Sequence, residues 1–188
     1  DLVSPYLVPG KQGTAELGRL VSRGVRVRIL TNSLAATDVA AVHAGYAKYR
    51  VDLLRAGVQL YELRPAAGGQ RGSGFGGSSA SSLHAKTFAL DDARLFVGSF
   101  NFDPRSAYLN TELGLIIDSP ELARQLGDVF ERVVPRLAYE VRLTPDGALQ
   151  WLERTDEGIV VHHIEPEATV TRRAMVFVLS LLPIEWML

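Results

Sequence analysis

The chain has 188 residues, 47% of them hydrophobic and 22% charged, a balance that excludes disordered, collagen-like and coiled-coil proteins and fits one well-cored domain plus a tail. Its 20 Lys and Arg nearly cancel 21 Asp and Glu, so a formal net charge of −1 provides no global positive field for holding nucleic acid. With no cysteine, disulfides, thiolate zinc sites and Cys nucleophiles are excluded together.

In chain order, residues 2–8 form a short apolar run closed by Pro9-Gly10, and residues 14–22 read as a helix with Leu17, Leu20 and Val21 on one side and Gly24 at its end. Residues 25–30 follow as a strand. Asp38 is positioned to cap a longer helix running to about Arg55, with Val39, Val42, Tyr46 and Leu53 turned inward and Gly57 as the stop. Residues 58–63 are again strand-like, so two β-α-β units imply a largely parallel sheet. Residues 66–82 contain six Gly and five Ser, which read as a flexible loop suited to the rim of an active site. Residues 83–90 and 94–97 form a hairpin about Asp91-Asp92-Ala93, residues 113–117 a buried strand, and Ser119-Pro120-Glu121 opens a helix with Leu122, Leu126, Val129, Phe130 and Val133 on one face.

Beyond Tyr139, alternation in residues 139–143, 149–152 and 159–163 predicts an antiparallel meander. Residues 174–188 are strongly apolar but interrupted by Pro183 and Glu185, and shorter than the roughly 20 residues that cross a bilayer. The expected architecture is therefore α/β, a mixed, mostly parallel sheet sandwiched between helices over residues 1–137. Residues 138–188 are expected to add the meander and an apolar helix packed on it.

The densest reactive cluster runs from His84 to Glu112. On a strand, His84 and Lys86 leave the same face and suit one phosphate: an imidazole can attack phosphorus or shuttle a proton while the ammonium offsets charge on the oxygens. Ser99 and Asn101 share a face if their strand continues, adding a hydroxyl and an amide. Glu112 is placed to accept the second imidazole N–H of His84.

His84-Ala-Lys86, four residues, Asp91, six more and Gly98-Ser99-Phe100-Asn101 is similar to the HKD signature of the phospholipase D superfamily, complete at each signature position. Asp103-Pro-Arg105-Ser106, residues 110–114, the stretches 32–34 and 42–46 and the closing residues 180–186 resemble the bacterial cardiolipin synthase branch. The resemblance implies a phospholipase D-like fold in one repeat and a metal-independent, cofactor-free phosphodiester transfer through a phosphohistidine. It implies His84 as nucleophile or acid/base, Lys86, Ser99 and Asn101 on the phosphate, Glu112 orienting His84, and Asp91 in a supporting rather than ligating place. Family members use two HKD copies, and this sequence carries one. Together with a start at Asp1, without initiator Met or leader, this reads as the C-terminal half of a two-copy enzyme, inactive unless a missing N-terminal half or a second copy completes it.

Neighbouring polar residues have plainer readings. Arg105 and Ser106 are candidates for a headgroup contact or for an ordinary turn with an Arg-carboxylate clasp. His43 reads as a packing residue, and His162-His163, alternating sides of a strand, as a surface pair rather than a metal site. In the tail, Arg172-Arg173 before an apolar run and Trp186 has the ordering of an interfacial segment, whereas an apolar surface nearly all round favours burial against the absent half. The expected activity is phosphatidyl transfer between headgroups, making cardiolipin from phosphatidylglycerol. The expected place is peripheral, on the cytoplasmic side of a bacterial membrane. A homodimeric nuclease-type phosphodiesterase is the alternative, which the near-neutral charge disfavours, and a non-catalytic phosphate-binding module is a third.

Overall fold

In a computed structural model, which describes residues 1–65 and 83–182, nine strands form one sheet in the order β6-β5-β4-β1-β2-β3-β7-β8-β9. The loop expected over residues 66–82 and the closing residues 183–188 lie outside the described residues.

The sheet is mixed and flanked by helices, as expected, but its parallel share is small. Only β1 (Leu2–Val3), β2 (Arg28–Asn32) and β3 (Gln59–Leu63) run parallel, and every other pairing is antiparallel. The two β-α-β units were legible from helix spacing. Each remaining strand reaches its neighbour through a hairpin or a return, which enforces the opposite direction. On one side of β1 lie β4 (Thr87–Leu90), β5 (Arg94–Gly98) and β6 (Gly114–Asp118). On the other side, the expected meander of β7 (Ala138–Leu143), β8 (Leu149–Thr155) and β9 (Gly158–His162) continues the same sheet through β3.

β2 is buried along its whole length because both sheet faces are covered, so its inward residues alternate between two cores. Ile29 and Leu60 join Tyr46, Tyr49 and Leu53 of α2 (Ala40–Arg55) and Leu17 of α1 (Gly10–Ser22). On the opposite face Leu30 and Tyr61 meet Ala123, Leu126 and Phe130 of α4 (Pro120–Arg132) and Val134 of the short α5 (Val134–Leu137), with α3 (Pro104–Tyr108) off the edge of the sheet. Arg28 is buried in this sheet because Asp1 takes its Nε and Nη2 at 2.6 Å each, Glu131 takes Nη1 at 2.7 Å, and the Phe130 ring lies 5.0 Å below.

Helix ends follow their chemistry in part. Ser119 Oγ accepts from the Leu122 amide with Pro120 in the first turn, as expected. Asp38 does not cap α2: Val39 holds that place, and the Asp38 carboxylate takes the Tyr6 hydroxyl at 3.1 Å. Gly57 closes α2 at φ +89°, where a Cβ would also lie 2.9 Å from Val21 Cγ1, so glycine is required there twice over.

Two burial expectations are corrected. Residues 113–117 form the edge strand of the sheet, with Leu115 64% and Ile116 70% exposed; an apolar run shows that a strand wants cover without showing that this chain supplies it. The last helix, α6 (Val170–Ser180), packs chiefly on α2 and not on the meander, burying Val176 against Leu34 and Ala44.

Candidate active site

The carboxyl ends of β1, β2, β3 and β5 and the amino ends of β4 and β6 all fall at one edge, the carboxyl edge of the parallel strands. That single edge gathers residues scattered from Asn32 to Glu112.

His84 and Lys86 precede β4 in an extended segment rather than lying within the strand, and Lys86 Nζ donates back to the His84 carbonyl at 3.0 Å. Burial lowers the Lys86 pKa from its ordinary value, against the opposing charges of Glu112, Asp103 and Asp38. The His84 imidazole is exposed and makes no hydrogen bond among the described residues. The expected His84–Glu112 bond is therefore not formed. Glu112 instead accepts from the Ser99 hydroxyl and from Asn110 Nδ2 at 3.2 Å, and these donors, Ser99 foremost, hold its carboxyl below the usual carboxylate range. Ser99 and Glu112 are thus brought together, the Lys86 charge is felt at Glu112, and His84 joins them through its backbone carbonyl on Lys86.

Asn101 lies beyond β5, in the loop where Leu7 bridges Phe102, and not on a continuing strand face. Its backbone N–H donates to Ser106 Oγ at 3.3 Å, and its side-chain Oδ1 is buried without a hydrogen-bond partner. Ser106 is 4% exposed, and its amide donates at 2.7 Å to Asp103, which caps α3. A direct headgroup contact by Ser106 is therefore closed off. Arg105 is exposed and donates to Asn110 Oδ1 at 3.2 Å; the Arg-carboxylate clasp with Asp103 is not formed, because Asp103 is spent on the helix cap.

Asp91 stands as a structural turn residue, not a phosphate ligand, and lies away from the site. With φ +52°, followed by Asp92 at +51°, it makes the β4–β5 turn at the far end of the hairpin, about 16 Å along the strand from Lys86. Asp tolerates the left-handed conformation such a turn demands, and this explains the residue without a part at the site.

Gly98 is explained by close approach. A Cβ there would lie 2.5 Å from the Leu113 carbonyl oxygen and 2.8 Å from Gly114 Cα. That carbonyl accepts the Ser99 amide at 2.8 Å, so any side chain would push apart the pair holding Ser99 against Glu112. Gly98→Ala is expected to cost about 1–3 kcal/mol from overpacking. Activity should fall more than stability does; thermal unfolding and turnover measured on the same preparation check this.

Sequence reasoning passed over Asn32 as a site residue. At the end of β2, where β1 has already turned away, its buried side chain bridges the gap: Oδ1 accepts the Leu83 amide at 2.9 Å, and Nδ2 reaches the Leu83 and Pro5 carbonyls at 3.4 Å. It fixes the residue immediately before His84. A polar residue closing an otherwise apolar strand beside a Pro-containing turn was the available signal. Asn32→Leu, near in volume, strands these groups and is expected to lower stability by about 1–3 kcal/mol, which the urea midpoint would read.

His43 is buried, and its Nε2 lies 2.9 Å from Arg50 Nη2 and 3.4 Å from Glu165 Oε1; His162 Nε2 lies 2.9 Å from Glu153 Oε2. Both are engaged by carboxylates on the α2 face of the sheet, and His43 also lines a small cavity with Pro5 and Asn32.

Comparison with known proteins matches this geometry. Residues 1–134 match the family described as "Cardiolipin synthase, PLD-like domain". The chain is 46% identical over 191 residues to cardiolipin synthase C of Escherichia coli (strain K12), covering 100% of this chain and 40% of that protein. Its fold is similar to a phospholipase D family member, Nuc from Salmonella typhimurium (TM-score 0.53, 19% identity, 75% of this chain and 80% of that one). It is also similar to phosphatidylserine synthase of Haemophilus influenzae Rd KW20 (TM-score 0.54, 14% identity, 100% of this chain and 41% of that one).

Proposed function

Since the chain belongs to the phospholipase D superfamily, in its cardiolipin synthase-like branch, we propose that it supplies one of two HKD halves of a phosphatidyltransferase that joins phosphatidyl groups to make cardiolipin. The observation that carries this reading is the meeting of Lys86, Ser99 and Glu112 at the carboxyl edge, where Ser99 donates to Glu112, the Lys86 charge is felt at Glu112 and Lys86 reaches the carbonyl of the exposed His84.

In the proposed reaction one histidine attacks phosphorus through its ring nitrogen, and the bond from phosphorus to the leaving glycerol oxygen breaks as the second histidine gives that oxygen a proton. The second histidine then takes the proton of the accepting hydroxyl, whose oxygen displaces the phosphohistidine nitrogen. His84 is one of the two, Lys86 and the Asn101 amide group lie against the non-bridging oxygens, and Ser99 with Glu112 shapes that cradle.

The complementary half, or a second copy, is proposed to cover the apolar surface beside the cluster. Tyr108, Leu109, Leu113, Leu115 and Ile116 are all more than 60% exposed, unusual for residues adjoining a reactive site. Peripheral attachment at the cytoplasmic face of a bacterial membrane belongs to the same reading.

The test is reconstitution. The chain mixed with a complementary HKD half and phosphatidylglycerol vesicles is expected to release cardiolipin and glycerol without added metal, and the monomeric chain alone to release neither. Metal-independent DNA cleavage by a dimer of the chain, without lipid transfer, would favour the nuclease reading instead.

A further inference from the structure

Helix α6 is inside out. The residues it turns toward the protein are Arg172, Arg173, Val176, Leu179 and Ser180; the Arg172 guanidinium donates to the Thr37 carbonyl and Arg173 Nη1 to the Glu165 carbonyl at 3.4 Å. The residues it turns outward are apolar: Val170 is 71% exposed, Met175 47%, Phe177 65%, Val178 57%, Leu181 69% and Leu182 45%. No charged side chain interrupts that face. A helix facing water shows the reverse order.

Size and position narrow what covers it. Eleven residues span about 16 Å, too short for a hydrocarbon core of about 30 Å, and no helix among the described residues is long and apolar enough to cross a membrane. A strip about 16 Å by 10 Å is also a fraction of the roughly 800 Å² that each side of a stable protein interface buries. A short apolar helix face of this kind is what lies in a lipid interface, where binding strength grows with the apolar area buried. The first turn of α6 stands at the catalytic edge: between it and α2 lies a groove of about 380 Å³ lined by Asp38, Ala40, Thr171, Arg172 and Met175. Asp38 takes the Tyr6 hydroxyl there, and its charge is felt at Lys86. Met175 of the apolar face thus shares a groove with Asp38, on the same side of the molecule as the catalytic edge.

We infer that the outward face of α6, centred on Phe177, Val178 and Leu181, seats in the acyl boundary of a phospholipid surface and lays the catalytic edge against the headgroups. This rests on the reading of the substrate as a phospholipid, and places α6 as the surface that delivers it.

The wild-type chain is expected to co-sediment with vesicles of equal phosphatidylglycerol and phosphatidylcholine. The triple variant Phe177→Ser, Val178→Ser, Leu181→Ser is expected to lose at least tenfold in partitioning while keeping its circular dichroism. In the reconstituted enzyme the variant should turn over water-soluble dihexanoyl phosphatidylglycerol as wild type does and lose turnover on vesicles by the same factor. Phe177→Trp, which leaves the face apolar, should show a blue-shifted emission when vesicles are added. Unchanged partitioning of the triple variant, no emission shift, or loss of association with the complementary half in place of lipid binding each overturns the inference. Vesicle binding that depends on these residues, with no turnover of either substrate, would sink the transferase reading and leave the docking face standing.

Discussion

His84→Ala is expected to abolish phosphatidyl transfer by the reconstituted two-half enzyme, lowering kcat by at least about 10³-fold while leaving stability and vesicle binding unchanged. The dissociation of effects follows from the surroundings of the residue. His84 is exposed, and among the described residues nothing hydrogen-bonds its imidazole, so truncation strands no partner and opens no cavity. Each other member of the cluster is tied into the structure: Ser99 to Glu112 and Leu113, Asn101 and Asp103 through Ser106, Lys86 to the His84 carbonyl. Changing those residues therefore mixes chemistry with local folding, and a donor to the phosphate is worth about 10²–10³ in rate. His84 alone separates the two. Turnover of labelled phosphatidylglycerol, with acid-labile label on the chain trapped before transfer, is the measurement; residual activity within tenfold of wild type would remove His84 from the reaction.

What the sequence discloses about this site is its chemistry more than its geometry. Types and spacing from His84 to Asn101 pointed to phosphate because a base, an ammonium, a hydroxyl and an amide cluster there, and all fall at one sheet edge. The sequence could not tell which of those residues would be satisfied internally. Glu112 bonds Ser99 rather than His84, and Ser106 is buried, because these outcomes depend on β6 lying beside β5, a pairing across the residues between Gly98 and Gly114. Asp91 stands within the signature, yet a four-residue strand carries it to the far end of a hairpin, which accounts for a structural place. The β-α-β units were readable from local periodicity, which is set by neighbours three or four positions away. Edge or centre, parallel or antiparallel, and inward or outward on α6 are set by long-range partners. Arg172 and Arg173 face the protein because Thr37 and Glu165 offer carbonyls there, and no pattern within residues 170–180 records that.

The largest expected loss of stability comes from Arg50→Met. Arg50 is 1% exposed, with Glu62 Oε1 3.3 Å from its Nε, Glu165 Oε1 2.9 Å from its Nη2, and the Tyr46 and Trp151 rings 4.8 and 5.2 Å from its guanidinium carbon. Glu62 is wholly buried and further takes the Tyr46 hydroxyl at 3.1 Å and the Trp151 indole N–H at 2.9 Å. Methionine would fill much of the space but leave two carboxylates without their cation, a loss of about 3–5 kcal/mol. Because Glu165 precedes α6, the same change should loosen residues 163–182 first, which limited proteolysis reads. The pH dependence distinguishes charge from packing. Burial alone would raise the Glu165 pKa, but the Arg50 charge and the His43 hydrogen bond more than offset it and hold the carboxyl at about 2, below its ordinary 4.5. Its contribution to wild-type stability is then complete above pH 4.5 and lost as pH falls toward 2. In Arg50→Met the Glu165 carboxyl lacks the cation that held it ionised and takes up a proton at higher pH, which relieves the burial of charge. The gap between the two proteins in urea midpoint should therefore be widest at neutral pH and narrow on acidification, and adding Glu165→Gln to the variant should recover part of it. A gap that stays constant from pH 7 to pH 4 would mean that Arg50 acts by packing against Tyr46 and Trp151, with its charge playing no part.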